Sequence, residues 1–246
     1  KILVGCPAQE EHVMAALMTN LFLRRHGWDV IYLGANVPLV DLEKAVRFTR
    51  ARLVVLIASQ LHTAANILEA AIALKAEGIH LAFAGSIFSR QVGLSTNIPG
   101  YYLGDRLDRV VQEVEAVLKF PGFPEGADAP NYGYLAAKNR IEERQSMIKA
   151  EIWDDLRSKG IHEQTLQIAN EALIKDILSA LALNNLDSIK LEIEWVAKML
   201  AHQDLSQDLL SDYLMVVANA INRHAGQEAK VVSDWLLAAA SNEDRR

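Results

Sequence analysis

Five short runs of almost uninterrupted apolar residues, at 2–6, 30–33, 53–58, 81–84 and 101–103, constrain this chain more than any other feature. A strand that is apolar on both faces must be covered on both faces, which suits a parallel sheet sandwiched between helices. The stretches between the runs carry helical spacing, near 12–26, 40–49, 63–77, 87–92 and 105–119. Gly27 and Gly78 follow two of them, where a left-handed helix cap is expected. Five strand–helix units predict an α/β flavodoxin-like, doubly wound, parallel five-stranded sheet. Ligands of such sheets sit beyond the carboxyl ends of the strands.

The alternation stops at residue 119. Residues 120–134 hold three prolines and three glycines, which end a helix and cannot feed a central strand. We read them as a linker between a domain at 1–119 and a second at 135–246. The second domain reads as all helix, either a bundle or globin-like. Its apolar sets are Ile141, Ile148, Ile152, Leu156; Leu166, Leu173, Ile177, Leu181; Ile189, Ile193, Val196, Leu200; Leu210, Leu214, Val217, Ile221; and Val231, Val232, Trp235, Leu236. Gly160 and Gly226 are expected as stops, and Asp187 and Ser206 as N-caps. Leu191, Trp195 and Met199 add a second stripe to the third helix, so it is expected to be central or to cover a ligand.

Charge follows the same division. Residues 1–120 carry 12 basic against 11 acidic residues, and the remainder 13 against 20. An acidic second half argues against nucleic-acid binding, which needs a basic face. No run approaches the roughly 18 apolar residues of a membrane span. The single cysteine, Cys6, rules out a disulfide framework and fits a reducing cytoplasm. The chain opens directly on a strand, so further residues are expected upstream.

After the first strand comes Cys6-Pro-Ala-Gln-Glu10-Glu11-His12. A histidine there is placed to meet a ligand, and Glu10 can accept from one ring nitrogen and raise the basicity of the other as a metal ligand. The plain alternative is a solvated histidine at a helix start. Ser59 and Leu61 follow the third strand, Ala84, Gly85 and Ser86 the fourth, and Gly104 the fifth. Small residues there let a bulky ligand approach the backbone, and the hydroxyls of Ser59 and Ser86 can bond it. Glycine-rich dinucleotide and Walker loops, nucleophile elbows and His-Glu-x-x-His sites are absent. The end of the third strand lacks the acidic residue of a phosphorylatable receiver. A binding or sensory module is expected, not an enzyme.

Residues 1–119 resemble the cobalamin-binding domain family, whose marks are D-x-H-x-x-G, S-x-L and G-G. The corresponding residues are Glu10-x-His12-x-x-Ala15, Ser59-x-Leu61 and Ala84-Gly85, and Leu33-Gly-Ala-Asn-Val-Pro38 is similar to the family's second-strand segment. The resemblance implies that His12 replaces the cofactor's dimethylbenzimidazole as lower cobalt ligand. It also implies that the displaced nucleotide tail threads beside Ser59, Leu61, Gly85 and Gly104. Ala15 and Ala84 depart from glycine, each adding a methyl group. Glu10 stands where methyltransferases and mutases have Asp, and Glu-x-His is similar to the light-sensing cobalamin repressors of the MerR family.

The order of a cobalamin domain followed by a helical one resembles the photocobilins, which pair cobalamin with biliverdin. Trp153, Trp195, His202, Tyr213 and His224 could line an upper-face or bilin pocket, and each also reads plainly as a core residue or a helix-end charge. The expectation is a cobalamin-dependent photoreceptor, with adenosylcobalamin favoured, and with biliverdin in the helical domain. Light-driven loss of the upper axial group would alter the contact between the two domains and the state of a homo-oligomer. The alternatives are a corrinoid carrier for methyl transfer and a light-independent cobalamin sensor.

Overall fold

The five apolar runs form five strands: β1 (Ile2–Pro7), β2 (Val30–Val37), β3 (Leu53–Ile57), β4 (His80–Ala84) and β5 (Tyr101–Tyr102). The computed structural model describes residues 1–119, 122, 124, 131–157, 163–194, 196 and 207–241. The chain divides into two compact units, Lys1–Ala129 and Pro130–Arg246, the division falling within residues 120–134.

In the first unit every strand pair is parallel and the order is β2-β1-β3-β4-β5, the flavodoxin-like arrangement. The helices are α1 (Met14–Arg25), α2 (Leu39–Thr49), α3 (Leu61–Ala76), α4 (Ser86–Arg90) and α5 (Val110–Lys119). Because side chains alternate along a strand, Leu53, Val55 and Ile57 join one layer with Ala16 and Leu23 of α1 and Val110, Val114 and Val117 of α5. Val54 and Leu56 take the other face and are equally buried. Both faces are therefore packed, as the continuous apolar runs require.

Two local departures shape the site. β2 runs four residues past the expected end, and its pairing with β1 slips between Val4 and Gly5 and again between Gly5 and Pro7. A Cβ on Gly5 would lie 3.1 Å from the Leu33 Cβ and 3.3 Å from the Gly34 carbonyl oxygen, a tight fit that a side chain would enter only if its neighbours gave way by a few tenths of an ångström. The slip carries Asn36 up beside the segment that follows β1. The helix expected from residue 12 starts instead at Met14, leaving His12 in the connection before it. The helix expected over 105–119 is a 3₁₀ turn at Leu107–Arg109 followed by α5. The two-residue strand β5 stops before Leu103, which donates its N–H to the Phe83 carbonyl.

The second unit contains α6 (Tyr132–Leu156), α7 (Glu163–Ala182), α8 (Gln207–Ala225) and α9 (Lys230–Ala240), with helical residues also at 190–194 and 196. Asn131 caps α6, its side chain accepting from the N–H groups of Gly133 and Tyr134. The buried sets Ile141, Ile148, Ile152, Leu156 and Leu210, Leu214, Val217, Ile221 match the expected stripes. In α7 Leu166, Ile177 and Leu181 are buried as expected, while Ile174 is buried and Leu173 only half-buried. Gly226 ends α8 at φ +64°. Asp187 is not an N-cap: it lies inside a 3₁₀ turn, Leu186–Ile189, and accepts from the indole N–H of Trp235 at 3.1 Å. Leu191 is 39% exposed. The other two residues of that stripe, Trp195 and Met199, lie outside the described residues, as do Leu200, Gly160 and Ser206.

Candidate functional site

The connection from β1 to α1 is held by three hydrogen bonds from two elements, β2 and α3. Gln9 adopts φ +63° and donates its N–H to Asn36 Oδ1 at 2.8 Å, while the Asn36 N–H donates to the Glu10 carbonyl at 3.0 Å. From α3, Asn66 Nδ2 donates to the Ala8 carbonyl at 2.7 Å. These bonds fix the backbone that carries Glu10 and His12.

Glu10 is fully buried, at 0% exposure. A buried carboxylate needs partners, and this one has four donors. Oε2 accepts from the Ser59 N–H at 2.6 Å and the Thr63 hydroxyl at 2.8 Å. Oε1 accepts from the His12 N–H at 3.0 Å and meets His12 Nδ1 at 2.6 Å. Burial by itself pushes the Glu10 carboxyl up, but the backbone N–H groups of His12 and Ser59, the Thr63 hydroxyl and the imidazole together hold it below the usual glutamate value. The group is therefore a carboxylate at neutral pH. Thr63 serves two bonds at once, accepting from the Gln60 N–H at 3.2 Å while donating to Glu10.

The His12 side chain is 61% exposed even though Glu10 beneath it is sealed. With Nδ1 donating to the carboxylate, Nε2 is left as the nitrogen available to a metal, and it has no hydrogen-bond partner among the described residues. This carboxylate–histidine pair fixes the orientation of the ring. Among the described residues no group of three or more His, Cys, Asp or Glu could cage a metal ion. One protein nitrogen fits a metal that brings its other ligands with it, as a corrin does. The Cys6 thiol, fully buried beneath the site, does not compete: burial and then the charges of Glu10 and Glu11 push it up to about 12.

The remaining expected residues lie at the same carboxyl edge. Ala15 is exposed in the first turn of α1, and Leu61 opens α3 with its side chain buried. Ser59 donates its backbone N–H to Glu10 Oε2 at 2.6 Å. The connections after β3 and β4 touch, since the Ala58 N–H donates to the Ala84 carbonyl at 3.0 Å. A Cβ on Gly85, which sits at φ +131°, would fall 1.9 Å from the Ala58 oxygen, so this glycine is required by contact and by conformation. Ser86 is exposed at the start of α4. Gly104, at φ +75°, has nothing within 4 Å of where a Cβ would be. Thr63 and Asn66 escaped the sequence reading, and Asn36 entered it only as part of the segment Leu33–Pro38. Thr63 alone had a local signal, as a hydroxyl in the first turn of the helix that follows Ser59.

In the helical unit two of the expected residues, Tyr213 and His224, have protein partners. The Tyr213 hydroxyl donates to Asn170 Oδ1 at 2.9 Å, and His224 Nε2 meets Glu151 Oε2 at 2.6 Å. Tyr213 and His224 lie eleven residues apart on one face of α8. Trp153, two residues from Glu151 on α6, is turned to another face than the partner of His224. Trp195 and His202 lie outside the described residues.

A flavodoxin-like sheet with an imidazole steadied at its carboxyl edge by a buried carboxylate defines an α/β cofactor-binding domain. Residues 1–103 match the family model described as B12 binding domain. Among solved structures, a novel cobalamin-binding protein from Desulfitobacterium hafniense DCB-2 is 22% identical with a TM-score of 0.33, the match covering 34% of this chain and 43% of that one. The methanol:cobalamin methyltransferase complex MtaBC from Methanosarcina barkeri is 22% identical with a TM-score of 0.42, covering 48% of this chain and 46% of that one. Both matches span less than half of the solved chains. No curated protein matches the chain.

Proposed function

We propose that this chain binds cobalamin with His12 Nε2 as the lower cobalt ligand, and that it acts as a cobalamin-dependent light sensor. The observation that carries the binding mode is the pairing of a sealed, four-fold hydrogen-bonded Glu10 with a largely exposed His12. Glu10 orients the ring and keeps the proton on Nδ1. Asn36 and Asn66 hold the backbone beneath it, so the nitrogen is positioned before the cofactor arrives. Gly85 and Gly104 keep the neighbouring turns bare of side chains. When bound, cobalamin supplies a cobalt–carbon bond that light can break. The sensing part of the reading is supported by the Glu-x-His spelling and by the order of the two units along the chain.

Reconstitution with adenosylcobalamin in the dark, followed by absorption spectra, tests the binding mode. His12→Ala is expected to shift the cobalt spectrum towards that of a cofactor without a protein ligand, and an unchanged spectrum refutes ligation by His12. Illumination followed by sizing chromatography tests sensing, with a light-dependent change of oligomeric state as the expected result. Unchanged elution and spectrum would refute it. A light-insensitive protein that accepts a methyl group from a corrinoid methyltransferase would be a carrier, and assembly that follows cobalamin in the dark would mark a light-independent sensor. Biliverdin in the helical unit rests on domain order alone. Co-expression with a haem oxygenase tests it, since a red-absorbing band must then survive gel filtration.

A further inference from the structure

The amino edge of the sheet, opposite the edge that carries His12, holds a cavity of about 410 Å³. Ile2 pairs with both Val30 and Leu53, so the residues that precede β1, β2 and β3 stand side by side there. The Arg52 N–H donates to the Lys1 carbonyl at 3.0 Å and the Ile2 N–H to the Asp29 carbonyl at 3.0 Å, which fixes this row. Trp28, half-buried and packed against the core, gives the cavity an indole wall, and Ile2 and Leu118 of α5 add aliphatic surface. The volume falls in the range of small-molecule sites, about 300–1,000 Å³.

The polar groups around this cavity divide into paired and unspent ones. Lys119 lies 3.6 Å from Glu115, and Lys1 lies 3.9 Å from Asp29. The Arg52 guanidinium has no hydrogen-bond or carboxylate partner among the described residues, and the Trp28 indole N–H has no acceptor among them. By contrast, the exposed Arg47 and Arg106 are paired with Glu77 and Asp108, and the Trp235 indole donates to Asp187. The Arg52 charge is felt inside the fold: after burial, the larger cause, it holds the His80 imidazole below the usual histidine value. The unspent groups are therefore donors, one of them fully charged, beside apolar surface. A carboxylate satisfies such donors, and the guanidinium fork matches its two oxygens. An aromatic ring attached to that carboxylate can lie against the indole and the aliphatic wall. We propose that this cavity binds small aromatic carboxylates, with Arg52 taking the carboxylate and Trp28, Ile2 and Leu118 the ring. The site shares no residue with the surroundings of Glu10 and His12, so it stands apart from the cobalamin reading.

Equilibrium dialysis of the full chain against 2-naphthoate, with the ligand read by its own fluorescence, tests the proposal. The uncharged 2-naphthamide is the matched control. Naphthoate is expected to bind saturably and more tightly than naphthamide. Arg52→Gln should weaken naphthoate binding about ten-fold, the loss of a charge-assisted hydrogen bond, and change naphthamide binding by less than about two-fold. Arg52→Lys should recover part of the loss, and Trp28→Leu should weaken both ligands. Thermal melts by far-UV circular dichroism check that each variant folds; the exposed, unpartnered Arg52 side chain can be replaced without loss of a contact, so Arg52→Gln should melt as the wild type does. Equal affinity of the wild type for naphthoate and naphthamide overturns the proposal. So does an Arg52→Gln chain that binds naphthoate as tightly as the wild type, or a wild type with no saturable binding up to about 1 mM.

Discussion

Glu10→Gln tests the reasoning about the site most directly, because it keeps shape and volume while replacing one acceptor by a donor. In the wild type, Oε1 faces the His12 N–H and imidazole, and Oε2 faces the Ser59 N–H and the Thr63 hydroxyl. An amide must place its NH₂ at one of these positions, so in either orientation it confronts a backbone N–H that cannot turn away. If the NH₂ sits at the Oε1 position, the imidazole must also surrender its Nδ1 proton, which moves to Nε2 and blocks the metal-binding nitrogen. An unsatisfied buried donor costs about 1–3 kcal/mol, and hydrogen bonds to a charged group are worth about 1.5–3 kcal/mol each. Loss of the charge weakens every remaining bond to this side chain, so the expected destabilisation is about 2–4 kcal/mol. Urea denaturation of the cofactor-free chain at pH 7, followed by far-UV circular dichroism, measures it. The first unit should melt earlier in the variant with an unchanged m-value, and cobalamin added to the folded variant should lose the His12-dependent spectrum. A variant within 0.5 kcal/mol of wild type would refute the claim that four donors converge on an ionised Glu10.

Two further outcomes follow from the same structure. Gly85→Ala would put a methyl group into the Ala58 carbonyl at a φ that alanine rarely adopts, and should cost about 3 kcal/mol or more, read as a lowered melting temperature. Asp176 is pushed up to about 7, first by burial and then by Glu192, against a smaller pull from Lys175. Its folded form holds a proton that the unfolded chain has already lost, so it lowers stability progressively as pH rises from about 4 to about 7. At about 1.4 kcal/mol per pKa unit the effect is bounded near 4 kcal/mol. Asp176→Asn should therefore stabilise the helical unit at pH 8 and make no difference at pH 4, as denaturation at the two values would show; equal effects at both would refute it.

The sheet was legible in the sequence because a buried parallel strand needs apolar residues on both faces, and runs such as 53–58 satisfy little else. The position of His12 was legible for a related reason. Whatever follows a parallel strand emerges at the carboxyl edge, so a histidine just after β1 is delivered to the ligand side by topology alone. Helix boundaries were less legible, since the start of α1 at Met14 has no side-chain cap to announce it.

What only the tertiary structure decided is how that histidine is held. The Ser59 N–H is 49 residues from Glu10 and the Thr63 hydroxyl 53, while Asn66 is 58 residues from Ala8. Asn36 arrives only because the β1–β2 register slips at Gly5. The guanidinium of Arg90 reaches Ser59 across 31 residues and meets a carbonyl that every residue possesses. Periodicity and spacing carry information about neighbours within a turn or along a strand. A backbone N–H or C=O acting as a partner has no side-chain signature, so only the packing of β1, β3 and α3 reveals which one Glu10 or Arg90 will meet. The sequence determined by itself where the imidazole stands; its orientation and the partners of the carboxylate beneath it were settled by the fold.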